Sequence, residues 1–150
     1  MSHLQAVRIQ HEVGEEYLAG LMELFGSAWW MAGRTVEETR LILRESDLLV
    51  VLIDSACDTV VGFARALTDY AHVALVLDVV VAPESRGSGY GALLVDTVVQ
   101  KLSQVRSIEL VCQPELVPFY SRWGFTNQVG NSRLMRRTSD PALVPRQLSP

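Results

Sequence analysis

Apolar residues recur along this chain with two different periods, and the switches between them mark out its elements. Leu4 to Val13 alternates loosely through Val7 and Ile9, the pattern of a first strand. From Glu15 to Trp30, residues Tyr17, Leu18, Leu21, Leu24, Phe25 and Ala28 fall on one face of an amphipathic helix, with Gly33 as its stop. Thr35-Val36-Glu37-Glu38 has the form of a capping box, in which Thr35 caps a second helix and Glu38 reaches back to it. That helix runs to about Ser46-Asp47. Three apolar runs follow: Leu48 to Ile53, Val60 to Leu67 with Gly62 inside it, and Val73 to Val81. Turn chemistry separates them at Asp54 to Asp58 and at Thr68-Asp69-Tyr70, which predicts an antiparallel meander.

A helix over about Gly89 to Leu102 places Gly91, Leu94, Val95, Val98 and Leu102 on one stripe. Ile108 to Cys112 reads as a buried strand, and strand–helix–strand implies a parallel pair with a right-handed crossover. Pro114 to Trp123 reads as a helix with proline near its first turn, ended by Gly124. Ser132 to Arg137 reads as a last strand, and the segment from Ser139, with three prolines, as a loose tail. The expectation is one α/β (α+β) domain over residues 1–138, followed by a tail at 139–150.

Composition narrows the classes of function. Hydrophobic residues make up 49% and charged residues 20%, as in ordinary globular domains. The net charge of -4, with Lys101 the only lysine and scattered arginines, argues against a nucleic-acid surface. Cys57 and Cys112 are too few for a disulfide scaffold or a zinc site, and both read as buried, reduced thiols. The first residues carry charges and no apolar core of a signal peptide. The longest apolar run, Val73 to Val81, is about half of a membrane span and is interrupted by Asp78. A cytoplasmic protein, with neither metal nor membrane partner, is expected.

The chemistry concentrates between Leu77 and Leu94. There a buried strand runs into a glycine-rich turn carrying Arg86, and the turn opens a helix. Glycines 87, 89 and 91 remove side chains where backbone N–H groups converge, and the helix N-terminus adds partial positive charge. This is an anion site, most simply for phosphate. A nucleotide-triphosphate loop is excluded, because Ala92 follows Gly91 where lysine and a hydroxyl are needed. A dinucleotide fingerprint is formally met by Gly87-x-Gly89-x-x-Ala92 with Glu109 about 20 residues on. Against it, Pro83 to Arg86 separates strand from glycines, Glu109 starts its strand, and the upstream meander is not a doubly wound sheet.

Arg86-x-x-Gly89-x-Gly91 after a strand resembles the acyl-CoA pyrophosphate loop of the GNAT N-acetyltransferase superfamily, Gln/Arg-x-x-Gly-x-Gly/Ala. Phe119-Tyr120-x-x-x-Gly124-Phe125, after the next strand, matches a second motif of that family. The resemblance covers Leu48 to Arg137 and reaches the first two helices only by topology. It implies a mixed, mainly antiparallel central sheet with helices on both faces. It also implies a V-shaped splay between the two central strands, where the pantetheine arm of acetyl-CoA pairs with backbone. The matching positions are Val79, Val80 and Val81 for the arm, and the amides of Arg86, Gly87, Ser88, Gly89, Tyr90, Gly91 and Ala92 for the pyrophosphate.

The same resemblance makes Tyr120 the general acid for a departing thiolate, although a tyrosine on a short helix also reads as core. Gln113 stands where the family often has an arm-binding asparagine. Val111 stands where some members have a glutamate base. Asp78 is the internal candidate for that base, or else a strand-end charge paired with an arginine such as Arg65. Trp29, Trp30 and Arg34 fall where the family covers its acceptor, though Trp29 also continues an apolar stripe and Trp30 reads equally as surface. Cys112, with no histidine close in sequence, is a poor covalent carrier. The implied activity is direct acetyl transfer from acetyl-CoA to an amine, of a small molecule or a protein. The alternative is a catalytically silent acyl-CoA sensor, and a homodimer is compatible with the apolar C-terminal half.

Overall fold

In the computed structural model, which describes residues 7–143, the chain builds a five-stranded sheet in the order β1-β2-β3-β4-β5. The strands are β1 (Val7–Gln10), β2 (Leu48–Asp54), β3 (Thr59–Thr68), β4 (Val73–Val81) and β5 (Ser107–Leu110). The first four form an antiparallel meander, and β5 joins β4 in parallel. The crossover is α3 (Tyr90–Lys101); α1 (Leu18–Gly26) and α2 (Val36–Glu45) lie between β1 and β2, and α4 (Val117–Ser121) follows β5. No helix among the described residues is long and apolar enough to cross a membrane.

The centre of the sheet is buried because helices cover both of its faces. Phe63 of β3 meets Phe25 of α1 edge-on, with ring centroids 5.1 Å apart. Its neighbour Gly62 faces the other way, and an added Cβ there would lie 3.3 Å from Leu94 of α3. A bulge between Leu52 and Ile53 in the pairing with β3 shifts the alternation, so Val60 packs toward Gly20 of α1. Residues Val50, Leu52, Ile53, Phe63 and Leu94 are fully buried between the layers. The result is a mixed, mainly antiparallel sheet with helices on both faces.

Several elements differ from the periodicity. The first strand is shorter than Leu4 to Val13, and residues 4–6 lie outside the described residues. The first helix stops at Gly26 rather than near Gly33: the Ser27 hydroxyl and amide turn back onto the Leu24 carbonyl, and successive turns carry the chain to Gly33, at φ 88°. The capping box forms as expected, Glu38 N–H donating to Thr35 Oγ1 at 3.1 Å and Thr35 N–H to Glu38 Oε2 at 2.9 Å.

Ser132 to Arg137 forms no strand; Leu134 is 70% and Met135 91% exposed. Adjacent in sequence, those two cannot share one face of a strand, so there is no apolar face to bury. Cys57 is exposed, not buried, because it sits in the β2–β3 turn, and Cys112 is only partly buried. Pro141–Leu143 makes a single 3-10 turn, and the rest of the expected tail, residues 144–150, lies outside the described residues.

Candidate active site

β4 and β5 pair only from Val73↔Ser107 to Val76↔Leu110. Beyond Val76, β4 continues to Val81 with its β5-facing edge free, while Val80 and Val81 stay bonded to Phe63 and Gly62 of β3. The divergence has a local cause. Between the pairs Arg65↔Leu77 and Phe63↔Val80, β4 holds one residue more than β3, and Asp78 within it has φ 57°. Aspartate is among the few residues that enter the left-handed region at modest cost. The bulge re-aims β4 and leaves its β5-side edge over Val79–Val81 unpaired, so the backbone groups there that do not bond β3 are free.

The glycine-rich loop begins where β4 ends. Pro83–Ser85 is a 3-10 turn, Gly87 and Gly89 both have φ 83°, and Gly89 is the N-cap of α3 without any side chain competing for the cap. A Cβ at either φ would be strained, so these two glycines are conformational requirements. The Arg86 and Ser88 amides close turns onto Pro83 and Ser85, at 3.4 and 3.3 Å. The first intrahelical bond of α3 comes from Leu93 to Gly89, so the amides of Gly89, Tyr90, Gly91 and Ala92 have no helical acceptor. Of the seven amides expected to hold phosphate, five are thus free of turn and helix bonds, Gly87 included. The Tyr90 side chain is core, and the Arg86 side chain is exposed with no ion pair among the described residues.

Tyr120 of α4 is 8% exposed, wedged edge-on between Phe119 and Phe125. Burial, and secondarily the neighbouring Cys112 thiol, pushes its phenol up to about 12. Phe119 lies against Gly91: a Cβ there would sit 3.5 Å from the Phe119 ring. Trp123 Nε1–H donates to Asp96 of α3 at 2.7 Å. Two contacts thus tie α4 and the residues just after it to α3. The Asp96–Trp123 bond leaves no trace in sequence, since the partners lie 27 residues apart with ordinary surface periodicity. Gln113 is exposed at the start of the turn leading into α4.

Asp78 is the best-anchored charge among the described residues. Arg34 Nη1 and Nη2 donate to its two carboxylate oxygens at 2.8 and 2.9 Å, and Arg65 Nε donates at 2.6 Å. The Asp78 side chain is 6% exposed. Burial alone would raise its pKa, but the hydrogen bonds from Arg34 and Arg65 outweigh it and hold the carboxyl below the usual value. Of the two readings of Asp78, the geometry carries the ion pair: a doubly paired carboxylate of lowered pKa is a weak proton acceptor. Arg34 is correspondingly committed to Asp78. Trp29 and Trp30 are exposed and packed edge-on against each other at 5.8 Å. Val111, 56% exposed, supplies no base.

Comparison with known proteins bears directly on this site. The chain is 33% identical over 109 residues to the uncharacterized N-acetyltransferase ycf52 of Pyropia yezoensis, covering 70% of this chain and 62% of that protein. It is 38% identical over 97 residues to serotonin N-acetyltransferase 2, chloroplastic, of Oryza sativa subsp. japonica, covering 61% and 48%. The chain therefore spans less than two thirds of the length of these curated relatives. Among solved structures, a protein from Xanthomonas campestris pv. campestris described as belonging to the GNAT family superposes with a TM-score of 0.73 at 29% identity. That match covers 91% of this chain and 95% of the other. The sequence model of the Acetyltransferase (GNAT) family matches residues 12–125, which take in the bulged strand, the glycine-rich loop and Tyr120, and the chain belongs to that family.

Proposed function

We propose that this protein is an acetyl-CoA-dependent N-acetyltransferase that passes the acetyl group directly to an amine. The observation that carries the reading is the free β4 edge at Val79–Val81 leading into the free amides at the start of α3. A single ligand with an amide-bearing arm and a pyrophosphate fits that sequence of groups. In acetyl-CoA the arm would lie along β4, and the pyrophosphate would meet the Gly87–Ala92 amides and the Arg86 guanidinium.

The reaction follows from what each group can do. The amine nitrogen forms a bond to the thioester carbonyl, the C–S bond breaks, and the amine loses its proton to solvent. Tyr120, protonated at neutral pH with its pKa raised to about 12, gives a proton to the leaving sulfur and takes one back from solvent, so the thiol leaves and the phenol is restored. Asp78 serves the strand rather than the proton. An amine acceptor is also what the name of the rice relative carries.

The test is Tyr120→Phe with acetyl-CoA and a panel of amines, scored by thiol release. Turnover should fall about a hundredfold or more while CoA affinity by calorimetry stays within about twofold. A variant as active as wild type would make Tyr120 a core residue, and a protein with no turnover on any amine but tight CoA binding would be a sensor.

A further inference from the structure

We infer that Arg34, Asp78 and Arg65 form a clamp that sets the opened end of β4 and fastens the acceptor-side turns to it, so that cofactor strand and acceptor wall are positioned as one unit. The inference rests on the acetyltransferase reading above.

The bulge alone does not call for an aspartate. Glycine is the default residue at φ 57° and would enter that conformation without strain. Asp78 adds a carboxylate, and both of its oxygens are taken by guanidinium groups from other elements. Arg65 comes from β3 and also donates to Ser46 Oγ at 3.3 Å, at the C-cap of α2. Arg34 comes from the turns between α1 and α2, the segment that holds Trp29 and Trp30, and lies 5.2 Å over the Phe25 ring of α1. One carboxylate therefore gathers α1, the intervening turns, the end of α2 and β3.

Its place in the chain matters as much as its partners. Asp78 lies two residues past the last β4–β5 pair, at Val76, and immediately before Val79. A shift of the bulge would re-aim the free backbone groups of Val79–Val81. The side chains of Asp78, Arg65 and Arg34 are 6%, 13% and 20% exposed. A buried ion cluster is a poor device for stability alone, because desolvation offsets much of its attraction; its best-attested use is to specify one arrangement. Asp78, Arg65 and Arg34 are accordingly positioning residues, acting through β4 and the α1–α2 turns rather than on the reacting atoms.

The test uses four single variants and one double variant. Asp78→Gly permits the same backbone conformation but removes the carboxylate that fixes it, and Asp78→Asn keeps the shape and removes the charge. Arg34→Met removes the guanidinium, and Arg34→Lys keeps the charge but not the two-pronged contact. Affinity for CoA is read by calorimetry, KM for the amine and kcat by thiol release, and folding by circular dichroism at the assay temperature. In Asp78→Gly, Asp78→Asn and Arg34→Met the CoA dissociation constant should rise about tenfold and the amine KM should rise with it, coupling of an ordinary size between linked sites. Arg34→Lys should show a smaller loss of both. Adding Arg34→Met to Asp78→Gly should cost less than the two changes summed, since they remove the same contact.

Folded Asp78→Gly and Arg34→Lys proteins with wild-type CoA affinity and KM would reduce the cluster to a structural prop. A loss of kcat in Asp78→Asn, with an altered acid limb and unchanged CoA affinity, would make Asp78 the base and overturn the clamp. Wild-type protein without affinity for CoA would overturn the acetyltransferase reading itself, an outcome distinct from variants that bind as wild type does.

Discussion

Tyr120 shows how one environment sets a proton's behaviour. Its ring is enclosed by Phe119 and Phe125, and the hydroxyl lies beside the partly buried Cys112, so ionising it places charge where water is scarce. The pKa of about 12 compares with 10 for a free phenol. Below pH 10 the group is protonated folded or unfolded and contributes no pH dependence. Above it the unfolded chain loses the proton first, so stability falls as pH rises from about 10 to 12. An absorbance titration of wild type minus Tyr120→Phe should show the missing phenol ionising near pH 12, and Tyr120→Phe should lose less stability over that interval. A difference curve centred at pH 10 would mean that the hydroxyl is solvated. With the phenol raised to about 12, an alkaline fall in rate below pH 10 belongs to another group.

At the scale of elements, the contact between β3 and α3 depends on a missing side chain. A Cβ on Gly62 would lie 3.0 Å from Leu52 Cδ1 and 3.3 Å from Leu94 Cδ1, and both leucines are fully buried. Valine there adds branched bulk with no free volume to receive it. Gly62→Val should destabilise by about 2 kcal/mol through overpacking, lowering the thermal midpoint by roughly 4–8 °C for a chain of this size. A midpoint at or above wild type in a thermal melt would show that α3 can lift off the sheet. Periodicity marks a glycine inside a strand without saying what passes over it; that depends on the crossover placing Leu94 there. The capping box of α2, by contrast, is legible outright, because its donors and acceptors lie within four residues of chain.

For the whole molecule, the functional elements are held by contacts between parts distant in sequence. α4 is only five residues long and cannot be stable alone. It is seated on α3 by the Phe119–Gly91 contact and by the Trp123–Asp96 hydrogen bond. Trp123→Phe keeps most of the packing and removes the bond, so stability should fall by about 1 kcal/mol. With Tyr120 less firmly placed, kcat should fall severalfold while CoA affinity is kept. An unchanged kcat would show that α4 is held by packing alone.

The glycine-rich loop was readable from the sequence because its causes are local. Glycines at positions needing φ 83°, a helix starting at the next residue and an arginine beside them act within a few bonds of one another. The apolar pattern likewise marked the five strands that form and the stripes of α1 and α3, since burial on a period of 2.0 or 3.6 residues is written in the order of side chains. What only the tertiary structure decided was the company each group keeps. Asp78 could be base or ion pair until Arg34, 44 residues away, was seen to close on it. Cys57 joins an apolar run by composition but lies in an exposed turn, and Leu134-Met135 has strand-forming residues but nothing to pack against. Those outcomes depend on which distant surfaces meet, and the pattern of a single segment carries no information about its neighbours across the fold.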